Sequence, residues 1–215
     1  GFAQSGLASR VRCDARLLAL QPSNVTAFTC VSLLSTWSTI HVVMCRSSPT
    51  LGTRLLLHAA AGGVGLAATQ YGLWIGCRLA GTASSRAKHR LLRACGVASS
   101  MSSRDAPAAA LGVARALAGA RFHLAVNSLS HDFMSLTLAV TCESGCFGEL
   151  GKRNVWSERR FEAAVGAHKS FRVVDMSADV ASDPVWFRSA ILRVLSMRLE
   201  QGVVLGLPAF EFDLS

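Results

Sequence analysis

The sequence predicts an α/β fold, a doubly wound parallel sheet with helices on both faces. From Thr53 onward, short apolar runs alternate with longer segments of helical spacing, the pattern of consecutive strand–helix–strand units. The first strand, Leu55 to Leu57, is a continuous apolar run, as a strand buried on both faces requires. It meets its helix through "HAAAGGVG", more small residues than an ordinary turn needs. Such a run suits a site where something comes close to the backbone.

The elements follow in order. Residues 1–24 read as extended, alternating in "GLASRVRCDARLLAL" and turning at Pro22, Ser23 and Asn24. Val25 to Cys45 is apolar and long enough to suggest a membrane span. Its many Ser and Thr residues and His41 favour a buried helix leading into the next domain, with no membrane involved. "RSSPTLG" is a loop. Strands are expected at 54–58, 77–82, 122–126, 146–150 and 171–175, with a short one near 97–99. Helices are expected at 63–75, 85–95, 106–118, 131–140 and 184–201. Asp183 is placed to cap the last helix, Pro184 to open it and Gly202 to stop it. The closing "LPAFEFDLS" is extended.

Composition narrows the class of partner. The net charge is +9, with a pI near 9.9. The arginines are scattered, without a basic run or interleaved aromatics, so nucleic acid is not the expected partner. Seven cysteines at irregular spacing, with no CxxC pair, predict reduced, mostly core thiols in a cytoplasmic chain. No His–Cys cluster suggests a metal. The N-terminus has no signal-peptide pattern and starts without Met, so the chain is read as a piece of something larger.

The small-residue run carries the candidate chemistry. Ala60, Gly62 and Gly65 occupy the three small positions of a dinucleotide fingerprint of the Rossmann type. There they make the turn, admit the pyrophosphate and let helix pack on strand. Val64, Ala67, Ala68, Tyr71 and Ile75 form one apolar helix face after it. Ala61, Gly62, Gly63, Val64 and Gly65 are therefore candidates for phosphate binding at a helix N-terminus; the alternative is a tight structural turn. The next strand ends in Thr82, Ala83 and Ser84, with no carboxylate for a ribose 2′-hydroxyl. Arg86 and Lys88 follow, which fits a 2′-phosphate and hence NADPH; the alternative is two solvated helix charges. His58 and His41 read as core or helix-end histidines.

Several stretches, in order, resemble the enoyl reductase domain of type I polyketide synthases and animal fatty acid synthases. These belong to the medium-chain dehydrogenase/reductase superfamily, which is quinone oxidoreductase-like. The stretches are "GLASRVRCDARLL", "HAAAGGVGLAATQ", "GTASSRAKHRLLRACGV", "SSRD", "NSLS", "GCFGELGK" and "LEQGVVLGLPAFEFDLS". The resemblance implies a remnant of a GroES-like substrate domain in 1–24, a connecting helix and loop in 25–52, and a Rossmann domain in 53–205. Residues 206–215 would start a truncated return segment. It adds Ser84, Ser103, Asn127, Ser128, Leu129 and Gly151 to the cofactor-binding set.

The activity implied is NADPH-dependent reduction of a trans-2-enoyl thioester on an acyl carrier protein, among the other domains of a multifunctional synthase. A homodimer is compatible with it. Lys152 in "ELGK" and Asp175 in "FRVVDMS" match the family's proposed proton donors, and Lys88 a lysine associated with the cofactor phosphate. Hydride addition places negative charge on the thioester oxygen, which a cation or donor stabilises while an acid completes the addition. Taken alone, Lys152 could be a surface lysine and Asp175 a cap. Asn154 stands where the family often has Asp. Two other readings remain open at this level: a free-standing quinone-reductase-like enzyme, and an inactive structural nucleotide-binding module.

Overall fold

The computed structural model describes residues 1–3, 10–129, 132–151, 156–166 and 168–208. The chain divides into two compact units, one of Gly1–His41 with Asp175–Ser215 and the other Val42–Val174.

The second unit holds one parallel sheet of six strands. They are β1 (Arg54–Leu57), β2 (Arg78–Ala83), β3 (Ser99–Ser102), β4 (Phe122–Asn127), β5 (Thr141–Glu149) and β6 (Ser170–Val173). Their order is β3-β2-β1-β4-β5-β6, and every pairing is parallel. Between them run α2 (Gly63–Ile75), α3 (Arg86–Ala94), α4 (Ala106–Leu117), α5 (Asp132–Val140) and α6 (Glu158–Val165). The preceding helix, α1, spans Ala27–Ser47.

Strand alternation separates the two faces. Leu55, Leu57, Leu79 and Gly81 share one face, by the register of β1 with β2. A Cβ on Gly72 of α2 would lie 2.8 Å from Leu79 and 3.3 Å from Leu55, so α2 packs there. Leu56, Ala80, Ala125 and Phe147 face the other way and join Val113, Phe133, Met134 and Phe161 from α4, α5 and α6 in one buried cluster. This is the doubly wound arrangement the alternation predicts. The reversal of strand order between β1 and β4 opens a crevice at the carboxyl ends of the strands.

Several elements differ from expectation. β3 begins later than 97–99 and is a full member of the sheet; its sequence, Ser-Ser-Met-Ser, hides it because only Met101 is buried. The short helices α6 and α7 (Met176–Ser182) were not anticipated, because each buries a single side chain, Phe161 or Val180. The expected strand 171–175 stops at Val173, where Asp175 caps α7. Ala15–Leu17 is a 3₁₀ turn within the stretch expected to be extended. The cysteines are not mostly core: Cys77 is buried, while Cys13 and Cys45 are exposed and the other four lie between.

In the first unit, the expected C-terminal helix is three segments: α8 (Pro184–Trp186), a π-helical turn (Phe187–Leu192) and α9 (Arg193–Glu200). Asp183 caps it, accepting from Trp186 N at 2.8 Å. Leu33, Trp37 and Ile40 of α1 are buried in this unit, as are Phe187, Ile191 and Leu195. Trp37 stacks on His41 at 4.5 Å. Burial, with Arg198 nearby, lowers the His41 pKa to about 4. α1 has the length and apolar composition to cross a membrane, and 44% of that stretch is buried within the protein.

Candidate cofactor-binding site

The loop after β1 is drawn tight by its neighbour strand. Ala60 N–H donates to the Thr82 carbonyl at 2.9 Å and Ala59 N–H to Thr82 Oγ1 at 3.0 Å. Ala59, not a glycine, carries the positive φ of 48°. The glycines serve other ends. A Cβ on Gly65 would fall 2.4 Å from the Ala60 carbonyl oxygen and 2.5 Å from its Cα, so the helix reaches the loop only because Gly65 lacks one. Gly62 is different. Its φ of −85° suits any residue, and a Cβ there would meet only the Ala59 oxygen, at 3.3 Å. Nothing inside the fold demands glycine at 62.

Gly62 is the N-cap of α2 and offers no side-chain capping bond. The first-turn N–H groups, including those of Gly63, Val64 and Gly65, lack intrahelical acceptors by geometry. With the helix dipole they attract an anion. Beyond β2, Ser85 caps α3, accepting from Lys88 N. Arg86 and Lys88 are exposed on its first turn, which holds no acidic residue. Ser84 is half-buried at the strand end, and Ser103 N–H donates to the Ala83 carbonyl at 2.9 Å. A glycine at the helix entrance and cations in place of a strand-end carboxylate fit a dinucleotide with a 2′-phosphate.

On the other side of the crevice, Asn127 is fully buried and Glu149 only 2% exposed. Asn127 Nδ2 donates to Glu149 Oε2 at 2.9 Å and to the Leu129 carbonyl at 2.7 Å, while its Oδ1 accepts from Leu129 N at 3.3 Å. Glu149 Oε1 accepts from Gly151 N at 2.6 Å. Burial raises the Glu149 pKa, and the bonds from Asn127 and the Gly151 and Leu150 backbone oppose that rise. Ser128 Oγ donates to the His58 carbonyl at 3.3 Å. His58 itself is a core group: its Nε2 lies 2.7 Å from Thr137 Oγ1 and its Nδ1 3.4 Å from Thr82 Oγ1. Burial lowers its pKa to about 4, so it is neutral at physiological pH.

Thus Ala61 to Gly65, Ser84, Arg86, Lys88, Ser103, Asn127, Ser128, Leu129 and Gly151 all follow or end strands at one edge of the sheet. Lys152 and Asn154 lie outside the described residues. Asp175 belongs to the other unit, is exposed, and accepts from Ser177 N at 3.0 Å and Ala178 N at 3.3 Å. Sequence reasoning passed over Glu149; its one signal is an acid closing the otherwise small and apolar "GCFGEL". Among the described residues no cluster of potential ligands could hold a metal.

No protein-family model matches the chain. It is 31% identical over 185 residues to a phenolphthiocerol/phthiocerol polyketide synthase of Mycobacterium tuberculosis, covering 86% of this chain and 8% of that protein. It is 31% identical over 221 residues to the pikromycin polyketide synthase component PikAII of Streptomyces venezuelae, covering 99% of this chain and 6% of that protein. The chain therefore spans only a small part of these curated relatives. Among solved structures, the nucleotide-binding subdomain of the enoylreductase domain of PpsC from Mycobacterium tuberculosis is similar at a TM-score of 0.70 and 28% identity, covering 84% of this chain and 99% of that one. The CurK enoyl reductase is similar at a TM-score of 0.81 and 27% identity, covering 88% of this chain and 56% of that one.

Proposed function

For a chain that belongs to the enoyl reductase domains of polyketide synthases and corresponds to their nucleotide-binding subdomain, we propose an NADPH-dependent reduction of an enoyl thioester. The observation that carries it is the uncapped entrance of α2 behind Gly62, with Arg86 and Lys88 where a ribose carboxylate would otherwise stand. The first-turn N–H groups of α2 would hold the pyrophosphate. Arg86 and Lys88 would hold the 2′-phosphate through charge-assisted contacts, with Ser84 and Ser103 beside the adenosine. Asn127 to Leu129 and Gly151 would border the nicotinamide.

When bound, the cofactor supplies a hydride to the β-carbon of the enoyl chain. The chain's own contribution is charge and proton control. Lys152, one residue beyond Gly151 at the carboxyl end of β5, would donate to the developing enolate oxygen or protonate the α-carbon. Asp175 is the second proton donor proposed. The substrate would arrive tethered to an acyl carrier protein, and the chain would work in the cytoplasm among the other domains of a large synthase. The relatives are themselves large polyketide synthases.

The test is NADPH oxidation with a crotonyl thioester, using this chain completed with the remaining segments of an enoyl reductase. Lys152→Ala should lower the rate about a hundredfold or more and leave NADPH affinity intact. A Lys152→Ala protein as active as its parent would remove the residue from the mechanism. One observation favours a second reading, an inactive nucleotide-binding module: the Asp175 carboxylate is engaged in the α7 cap. Asp175→Asn retains a capping oxygen. A completed parent that binds NADPH without oxidising it would favour the inactive module; in an active parent, an unchanged rate in Asp175→Asn would assign Asp175 to the cap alone.

A further inference from the structure

The cofactor reading leaves one group at the sheet edge without a part. The strand order β3-β2-β1-β4-β5-β6 places the β2 and β3 ends, with Arg86, Lys88 and Ser103, on one side of the α2 entrance. A dinucleotide anchored at α2 with its adenosine there must send its other end over β4 and β5. Those two strand ends are joined side chain to side chain through Glu149. One carboxylate oxygen holds the Asn127 amide at 2.9 Å and the other the Gly151 N–H at 2.6 Å. Asn127 in turn clamps both polar backbone atoms of Leu129. The Leu150 N–H, donating to the Asn127 carbonyl at 2.8 Å, closes the link through the backbone.

We propose that Glu149 is a positioning residue for the nicotinamide end of the cofactor, tying the Asn127–Leu129 segment to the backbone of Leu150 and Gly151 so that both present fixed backbone to the ring. The role rests on the cofactor reading above. It requires an acceptor on each carboxyl oxygen, since the groups that face them, the Asn127 NH₂ and the Gly151 N–H, are donors, and the Asn127 Oδ1 is taken up by Leu129 N. That requirement explains an acid rather than an amide at a position 2% exposed. A glutamine would turn its NH₂ toward one of two donors and leave that link unmade.

The experiment compares two ligands on the 215-residue chain and on Glu149→Gln: NADPH, and adenosine 2′,5′-bisphosphate, which reaches only the adenosine side. Calorimetric affinities should show NADPH weakened about tenfold and the bisphosphate changed less than about twofold. Glu149→Asp, which keeps two acceptor oxygens on a shorter arm, repeats the comparison at smaller risk to folding and should fall between. Hydrogen exchange at the Gly151 amide should accelerate in Glu149→Gln. Unchanged NADPH affinity in both variants would overturn the role, and so would equal weakening of the two ligands, the mark of a general fold defect. A parent chain that binds neither nucleotide would overturn the cofactor reading itself, and this role with it.

Discussion

Gly62 and Gly65 lie three residues apart, at the N-cap and in the first turn of α2, yet the same substitution should act on different properties. In Gly65→Ala the new Cβ would stand 2.4–2.5 Å from three Ala60 backbone atoms. Ordinary carbon contacts lie at about 3.5–4.0 Å, so α2 must back away from the loop by roughly an ångström. Overpacking of this kind costs about 1–3 kcal/mol. At this chain length each kcal/mol lowers Tm by about 2–4 °C, so a fall of roughly 2–12 °C is expected. In Gly62→Ala the Cβ meets one oxygen at 3.3 Å, at a φ of −85°. The fold should tolerate it, and loss of unfolded-state freedom would stabilise by about 0.4–1 kcal/mol. The Leu66 N–H to Gly62 carbonyl bond, 2.8 Å, is kept. NADPH binding should nevertheless fall in Gly62→Ala, because the methyl group occupies the pyrophosphate's approach. Thermal melts and NADPH fluorescence titrations on both variants decide the matter. A Gly62→Ala chain that binds NADPH as its parent does would reduce the loop to a structural turn. An unchanged Tm in Gly65→Ala would refute the packing argument.

Two further outcomes follow from the same structure. Lys88→Ala should weaken NADPH about ten- to a hundredfold, the loss of one charge-assisted phosphate contact, while NADH affinity stays within about twofold; equal losses for the two cofactors would free Lys88 from the 2′-phosphate. Burial lowers the pKa of His58 and of His41 from 6.5 to about 4, so between those values the unfolded chain binds protons that the folded chain refuses. Stability against urea should therefore be complete above about pH 6.5 and fall as the pH drops toward 4, by up to about 1.4 kcal/mol per unit for each histidine. His58→Gln should remove roughly half of that slope, and an unaltered slope would mean that His58 is already charged or solvated in the folded state.

The half of the crevice over β1 and β2 was legible in the sequence because its chemistry is local. A helix entrance open to a phosphate needs small residues at fixed offsets, and Gly62 and Gly65 stand at them. A ribose carboxylate would have to close β2, and the residues there are Thr82, Ala83 and Ser84. The structure adds what a Cβ would meet at each glycine. Elements with weak apolar signatures were displaced, as β3 was, or missed, as α6 and α7 were, for the same local reason. β3 is three serines and a methionine, and α6 and α7 each commit one side chain to the interior.

The half over β4 and β5 is written differently. Asn127 and Glu149 are 22 residues apart, and nothing near either one says that it is buried. An asparagine closing a strand reads as a turn residue, and a glutamate closing another reads as a solvated end. Their burial follows from parallel pairing of β4 with β5, which sets Asn127 opposite Glu149 in register. Once neither is solvated, each must find its partners inside the protein. A carboxylate that faces donors from both strand ends is the economical solution, and it holds those two ends together as a consequence. Spacing rules find groups that meet a ligand through one turn of backbone. Groups that shape the site by meeting each other across strands become visible only when the register is known.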